Sequence, residues 1–305
     1  MITDLLKSLS SSFAVGRKVR KVNDVVIKIY SNPMECIYEY SVLRKIAESN
    51  PITFFVPKVY KIIVNSYQAL LIMERLEGIP LTRFVTPLYS ESEAIKVFHG
   101  LGEALRELHF LDIGELRNLS IPSSTSEMIS EIIKLSQKLT LSNLLDCKIK
   151  ETILKVTRET NKVKNEIFTT VNLHGEFYYT HVFLSKGKYA FFDFHEASKG
   201  PCYFDLAKFT GSLYVSLYLS LQIQDMKKLE ILSDAFFSGY FGKNYDDNLI
   251  RSIKLAELYM YLKGMWNLRS IYQESSPLAT FIIMQKIRKL KKAIEKVILP
   301  NLIQV

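Results

Sequence analysis

The sequence predicts an α+β protein of two lobes, a small antiparallel sheet with one helix followed by a larger, mostly helical part. Three observations carry this. The first ~75 residues hold four short apolar runs separated by turn-forming pairs, with one helical stretch among them. From Ser90 onward, apolar residues recur mostly at helical spacing. The 305 residues are 48% hydrophobic and 23% charged, enough for two lobes and a large core, and 12 Gly and 9 Pro argue against long linkers. The lobes are expected to divide as 1–76 and 77–305.

The elements follow in order. Residues 19–30, VRKVNDVVIKIY, read as two strands around a turn at Asn23 and Asp24. The second alternates, with Val25, Ile27 and Ile29 on one face and Val26, Lys28 and Tyr30 on the other. A helix is expected over about 34–48, after Pro33, then strands at 56–63 and 68–73 around Asn65 and Ser66. MERLEGIPL, 73–81, ends the sheet. Ser90 and Glu93 make a capping box, and Ala94, Val97, Phe98, Leu101, Leu105 and Leu108 line one helical face. Ser124 and Glu127 repeat the capping pattern and open a helical stretch to about residue 165. Strand-like pieces at 181–184 and 189–192 flank a turn at Lys186 and Gly187, and the rest reads as helix. The last helix starts at Pro277, with an apolar stripe of Ile283, Ile287, Leu290, Ile294 and Val297 and a basic face, KIRKLKK.

Cys36, Cys147 and Cys202 are far apart and match no metal-ligand spacing, so they read as free thiols in a reducing compartment. MITDLLKSLSSSF carries an early acid and lacks a long apolar core, unlike a signal peptide. GSLYVSLYLSLQI, from Gly211, is too short for a membrane span and is broken by serines. The expected location is cytoplasmic. A net charge of +9 suits either a solvated basic surface or an anionic partner such as a nucleotide, phosphorylated sugar, anionic lipid or nucleic acid. Nothing in the sequence speaks to oligomeric state.

The chemistry concentrates in LHGEFYYTHVFL, 173–184, and FFDFHEASKGPCYFDLAK, 191–208. Glu176 and His181 are five positions apart, and the hairpin after His181 returns to Asp193. His181 and Asp193 are therefore expected side by side, able to share one metal. Lys28 lies in an apolar strand, where a charge needs a partner, and Glu39 lies on the following helix. A strand lysine, a helical glutamate, a metal-binding carboxylate and a carboxylate beside a hydroxyl are what phosphoryl transfer requires.

On VVIKIY, EYSVLRKI, LIMERLEG, LGEALRELH, the two stretches above and FFSGYFG, spanning about residues 20–242, the chain resembles the protein-kinase-like superfamily. LRELH, GPCYFDLAK, FSGY and the helical insert at about 120–165 favour its aminoglycoside phosphotransferase and choline kinase branch. The resemblance implies a bilobal protein-kinase-like fold and an ATP- (or GTP-) and Mg²⁺- or Mn²⁺-dependent phosphotransferase. Its acceptor would be a hydroxyl of a small molecule, sugar or glycolipid headgroup. It implies that Lys28 and Glu39 form the phosphate-holding ion pair, and that backbone groups of Glu74 and Leu76 meet the base. Glu176, with His174 in the same loop, takes the catalytic position, Asp193 and His181 the metal, and Asp205 braces the catalytic loop. The catalytic loop with D-x-H-x-A downstream is locally similar to lipopolysaccharide core heptose kinases, where histidine fills the position of His181.

Two departures stand out. Glutamate occupies the place of an aspartate at 176, and the phosphate-covering stretch SSSFAVGRK, 10–18, has only Gly16. The first admits a second reading, a pseudokinase that binds nucleotide or acts as a scaffold; a third is a RIO-like protein kinase. Tyr178, Tyr179, Tyr203 and Trp266 are candidates for the acceptor pocket, against ordinary packing.

Overall fold

The structure is a computed structural model and describes residues 18–86, 88–160, 167–220, 226–242, 245–272 and 277–304. The expected phosphate-covering stretch at 10–18 therefore lies outside the described residues, except for Lys18.

The N-terminal sheet contains β1 (Lys18–Val22), β2 (Val25–Tyr30), β4 (Val59–Val64) and β5 (Ala69–Glu74), in the order β1-β2-β5-β4 and wholly antiparallel. Asn23 closes the first hairpin at φ 51°, a left-handed conformation that asparagine tolerates better than most residues. β2 is an inner strand, so Lys28 has no edge from which to reach water. Both faces of β2 are covered: Ile27 packs on Leu70, and Tyr30 joins Leu43, Ile46 and Leu71 beneath α1 (Pro33–Glu48). Asn32 caps α1 by accepting the Met34 N–H.

The capping box at α3 (Glu91–Phe110), which follows the short α2 (Thr82–Val85), forms in full between Ser90 and Glu93. The face that follows is buried at Ala94, Phe98, Leu101, Leu105 and Leu108. The helical insert is not one helix. It breaks between α4 (Thr125–Leu141) and α5 (Cys147–Thr160), where Asn143 turns left-handed at φ 56°. Its N-terminal cap is also staggered: Ser124 accepts from Glu127 N–H, while the Glu127 carboxylate takes the N–H of Ser123.

Four strands appear where none was expected. β3 (Phe54–Phe55) pairs in parallel with β9 (Lys188–Phe191), and β6 (Ile79–Pro80) flanks β8 (Val182–Ser185), giving a sheet β3-β9-β8-β6. β7 (Thr170–Leu173) and β10 (Ser198–Pro201) form a two-stranded ladder. The β8–β9 hairpin turns at Lys186 and Gly187, both with positive φ.

The remainder is helical: α6 (Tyr203–Ser220), α7 (Met226–Phe241), α8 (Asp247–Tyr272), α9 (Pro277–Ala293), a π turn (Ile294–Ile298) and α10 (Leu299–Gln304). α3 and α7 touch backbone to backbone at a glycine pair. A Cβ on Gly102 would lie 2.1 Å from the Phe236 carbonyl, and one on Gly239 would lie 1.9 Å from that of His99. Ile283, Ile287, Ile294 and Val297 are buried, and Lys291 of the basic face pairs with Asp146 at 2.6 Å. The three cysteines are free thiols, with Cys36 and Cys202 buried. Among the described residues, no helix is long and apolar enough to cross a membrane.

Candidate active site

The site forms where the N-terminal sheet, α1, the loop after β7 and the end of the β8–β9 hairpin meet. Lys28 projects from β2 and is only 6% exposed. Its ammonium donates to Glu39 Oε1 at 2.6 Å and to Asp193 Oδ1 at 2.7 Å. Glu39 is fully buried and also accepts from the Tyr30 hydroxyl and from Phe194 N–H. A carboxylate so deep is tolerable only because it is paired and hydrogen-bonded on both oxygens.

Asp193 sits just past β9 at φ 74°, a left-handed backbone that is uncommon outside glycine. The bend turns its carboxylate back toward β2. Burial pushes this carboxyl's pKa up, but His195 and Lys28 outweigh it and hold the group well below the usual carboxylate range. Both cations meet Oδ1, while Oδ2 lies 3.8 Å from His181 Nε2. His181 Nδ1 is 2.8 Å from the Glu176 carbonyl, an acceptor, so Nδ1 carries the hydrogen. In the neutral ring this leaves the Nε2 lone pair facing Asp193, the tautomer a metal ligand needs.

The catalytic-position loop is braced from below. Asp205, at the start of α6 and fully buried, accepts His174 N–H at 2.6 Å and Gly175 N–H at 3.0 Å. His109 Nε2 is 3.1 Å from the same carboxylate, and its other nitrogen meets the Tyr240 hydroxyl. Burial opposes the Asp205 charge, yet His109, His174 and Lys208 keep its pKa depressed. Gly175 bends the loop at φ 83°, and a Cβ there would lie 2.0 Å from the Glu196 carbonyl, so only glycine fits. Lys208 closes the brace by donating to the Gly175 carbonyl.

His174 is placed differently from its sequence assignment. Its ring is fully buried: Nε2 donates to the Phe192 carbonyl at 3.1 Å, and Nδ1 accepts Glu176 N–H at 3.3 Å. Burial pulls its pKa down to about 3, so the ring stays neutral near pH 7. It ties two loops together through these two hydrogen bonds.

Sequence reasoning assigned no role to His195, although D-x-H-x-A contains it. Only 5% exposed, it contacts Asp193 Oδ1 at 3.0 Å, Glu196 Oε1 at 3.3 Å and Glu176 Oε2 at 3.6 Å. Burial disfavours its charge, but hydrogen bonds to Asp193 and Glu196 and the charge of Glu176 prevail and raise its pKa to about 9. His195 is thus an imidazolium joining the two candidate carboxylates. The signal available beforehand was a polar residue inside the apolar run FFDFHEA. Glu176, Asp193 and His195 also offer ligand atoms within 4.8 Å of one another.

The hinge assignment narrows. Glu74 N–H is already donated to the Lys58 carbonyl at 2.8 Å, and Arg75 N–H to Asp24.

With the fold and this geometry in place, comparison with known proteins identifies the class. The family model described as "Phosphotransferase enzyme family" matches residues 7–224, and the chain belongs to that family. Its fold is similar to that of an aminoglycoside 2'-phosphotransferase-IIIa in complex with GDP, at TM-score 0.66 and 13% identity over 97% of this chain and 96% of that one. It is also similar to a choline/ethanolamine kinase family protein from Mesorhizobium loti, at 0.57 and 13% over 100% of both chains. A third is a macrolide 2'-phosphotransferase from Brachybacterium faecium, at 0.57 and 15% over 97% and 98%. None of the curated proteins matches the chain.

Proposed function

We propose that this protein is an ATP- and metal-dependent phosphotransferase acting on a hydroxyl of a small molecule, sugar or glycolipid headgroup, and that it works in the cytoplasm. The observation that carries the reading is the meeting of Lys28, Glu39, Glu176, His181 and Asp193 from segments up to 165 positions apart. The lobe boundary at 76/77 follows, with Glu74 carbonyl and Leu76 N–H at the base and Lys28, steadied by Glu39, at the phosphates.

The donor set fits a divalent ion. Asp193 Oδ2 and the His181 Nε2 lone pair face one another, and Glu176 adds a carboxylate nearby. One or two carboxylates with phosphate oxygens is the usual Mg²⁺ arrangement, and the imidazole widens the choice to Mn²⁺. Such an ion, when bound, supplies neutralisation of phosphate charge.

Glu176 orients the acceptor hydroxyl and receives its proton. The hydroxyl oxygen forms the new bond to the γ-phosphorus as the bond to the β,γ-bridging oxygen breaks, and ADP leaves with that electron pair. His195, 3.6 Å from Glu176 and 3.0 Å from Asp193, holds the Glu176 carboxylate against the Asp193 loop.

The test is nucleotide turnover by purified protein with and without Mg²⁺ or Mn²⁺. Asp193→Ala, checked for folding by circular dichroism, is expected to abolish it. Turnover that persists unchanged in that variant refutes the assignment, and nucleotide binding without turnover in the unmodified protein favours the pseudokinase reading.

A further inference from the structure

A cavity of about 380 Å³ adjoins the catalytic-position loop, walled by Tyr178, Phe204, Lys208, Tyr261, Lys263 and Asn267. Tyr178 lies two positions beyond Glu176, and Lys208 bonds the carbonyl of Gly175, one position before it. The cavity is therefore on the doorstep of the group read as orienting the acceptor. It runs on into a hollow of about 520 Å³ that shares Ile121, Lys263 and Asn267 with it.

The charge is one-sided on the inner wall, whereas the hollow beyond carries Glu127, Glu131 and Lys134. Among the described residues, no aspartate or glutamate lines the inner cavity, whereas two lysines do. Neither lysine has a salt-bridge partner among the described residues. Lys263 is held by the Tyr259 hydroxyl at 3.0 Å, and Lys208 lies 4.4 Å over the Phe204 ring and 5.4 Å from that of Tyr178. Burial is the main influence against the Lys208 charge; Asp205, Glu176 and Glu196 behind the wall favour it, and Lys263 adds repulsion. With no carboxylate on its inner wall, the cavity turns the Lys263 ammonium, and beside it Lys208, toward an entering group, an arrangement that an anion satisfies and a cation opposes. The aromatic walls supply apolar faces for a ring, and a chain charge of +9 favours approach of an anion.

We propose that the acceptor is a sugar carrying its own negative charge, a phosphate or a carboxylate, bound with that anion at Lys263 and Lys208 and its ring against Tyr178, Phe204 and Tyr261. This rests on the phosphotransferase reading of the adjoining loop. A cationic group does not suit the inner wall.

Calorimetric titration, with ADP and Mg²⁺ present to fill the nucleotide cleft, tests it using glucose 6-phosphate, glucuronate, glucose, glucosamine and inorganic phosphate. The expected order is both anionic sugars above glucose, with glucosamine weakest and inorganic phosphate below glucose 6-phosphate. Lys263→Gln is expected to weaken the anionic sugars by about 10-fold or more, the size of one lost charge-assisted hydrogen bond, and Lys263→Arg to retain most of the binding. Lys208 also ties the catalytic-position loop, so the test rests on Lys263. Glucosamine binding as tightly as the anions, anion binding indifferent to Lys263→Gln, or no anionic sugar bound at about 10 mM overturns the proposal. Inorganic phosphate binding as tightly as glucose 6-phosphate overturns the role of the ring walls. Nucleotide turnover without sugar reads the phosphotransferase assignment alone, and sugar binding reads the cavity alone, so either can fail while the other stands.

Discussion

Shortening Glu176 to aspartate is expected to slow turnover, although aspartate is the residue type this position was expected to hold. The reason is His195. The Glu176 carboxylate stands 3.6 Å from His195 Nε2. Removing one methylene withdraws it by about 1.5 Å, to roughly 5 Å. At an effective dielectric of about 20, the attraction falls from about 4.6 to about 3.3 kcal/mol, a loss equivalent to roughly one pH unit in the imidazolium's pKa. His195, which titrates at about 9 in the parent, should then titrate nearer 8, to within about a unit. The same retraction misplaces the carboxylate against the acceptor hydroxyl, which costs on the order of 10²-fold in rate. Two assays read these effects: steady-state nucleotide turnover with Mg²⁺, and an NMR titration of the His195 ring protons. A Glu176→Asp variant that turns over faster, with His195 titrating as before, would refute the coupling and mark the glutamate as a lesion.

Stability should also depend on pH through His195. Its folded pKa of about 9 lies above the unfolded value near 6.5, so its contribution is complete below ~6.5 and is lost as pH rises through 9. The size is about 3 kcal/mol and already includes the attraction that depresses Asp193, so the pair is counted once. Urea unfolding at pH 6, 8 and 10 should show the decline, and His195→Gln should remove it; a parent protein equally stable at all three contradicts the assignment. Gly239→Ala should cost about 3 kcal/mol, because a Cβ placed 1.9 Å from the His99 carbonyl forces α7 away from α3. A thermal melt within about 1 °C of the parent would show that the two backbones do not touch there.

What could be read in advance was local. The hairpin at Asn23, the helix after Pro33, the Ser90–Glu93 box and the hairpin at Lys186 and Gly187 all rest on residues within a few positions of one another. Lys28 was legible for a related reason: a charge inside VVIKIY advertises a buried partner. The missed strands have the opposite character. Phe54 pairs with Tyr189, and Val171 with Gly200, in strands two to four residues long. Such lengths are too short to show alternation, and their hydrogen-bonding partners lie on distant segments.

The same division runs through the site. Residue types and spacing in HGEFYYTH and FFDFHEA determined which groups would gather, because a five-residue gap and a tight hairpin leave little freedom. Tertiary structure alone decided their states. His174 and His195 each lie within two positions of an acid, yet the pKa of the first is lowered and that of the second raised. The first is fully enclosed, with its ring nitrogens used by a carbonyl and an N–H. The second meets three carboxylates drawn from separate positions of two loops. A sequence specifies the titratable group, but the balance of desolvation against neighbouring charge that sets its proton exists only once the chain has folded around it.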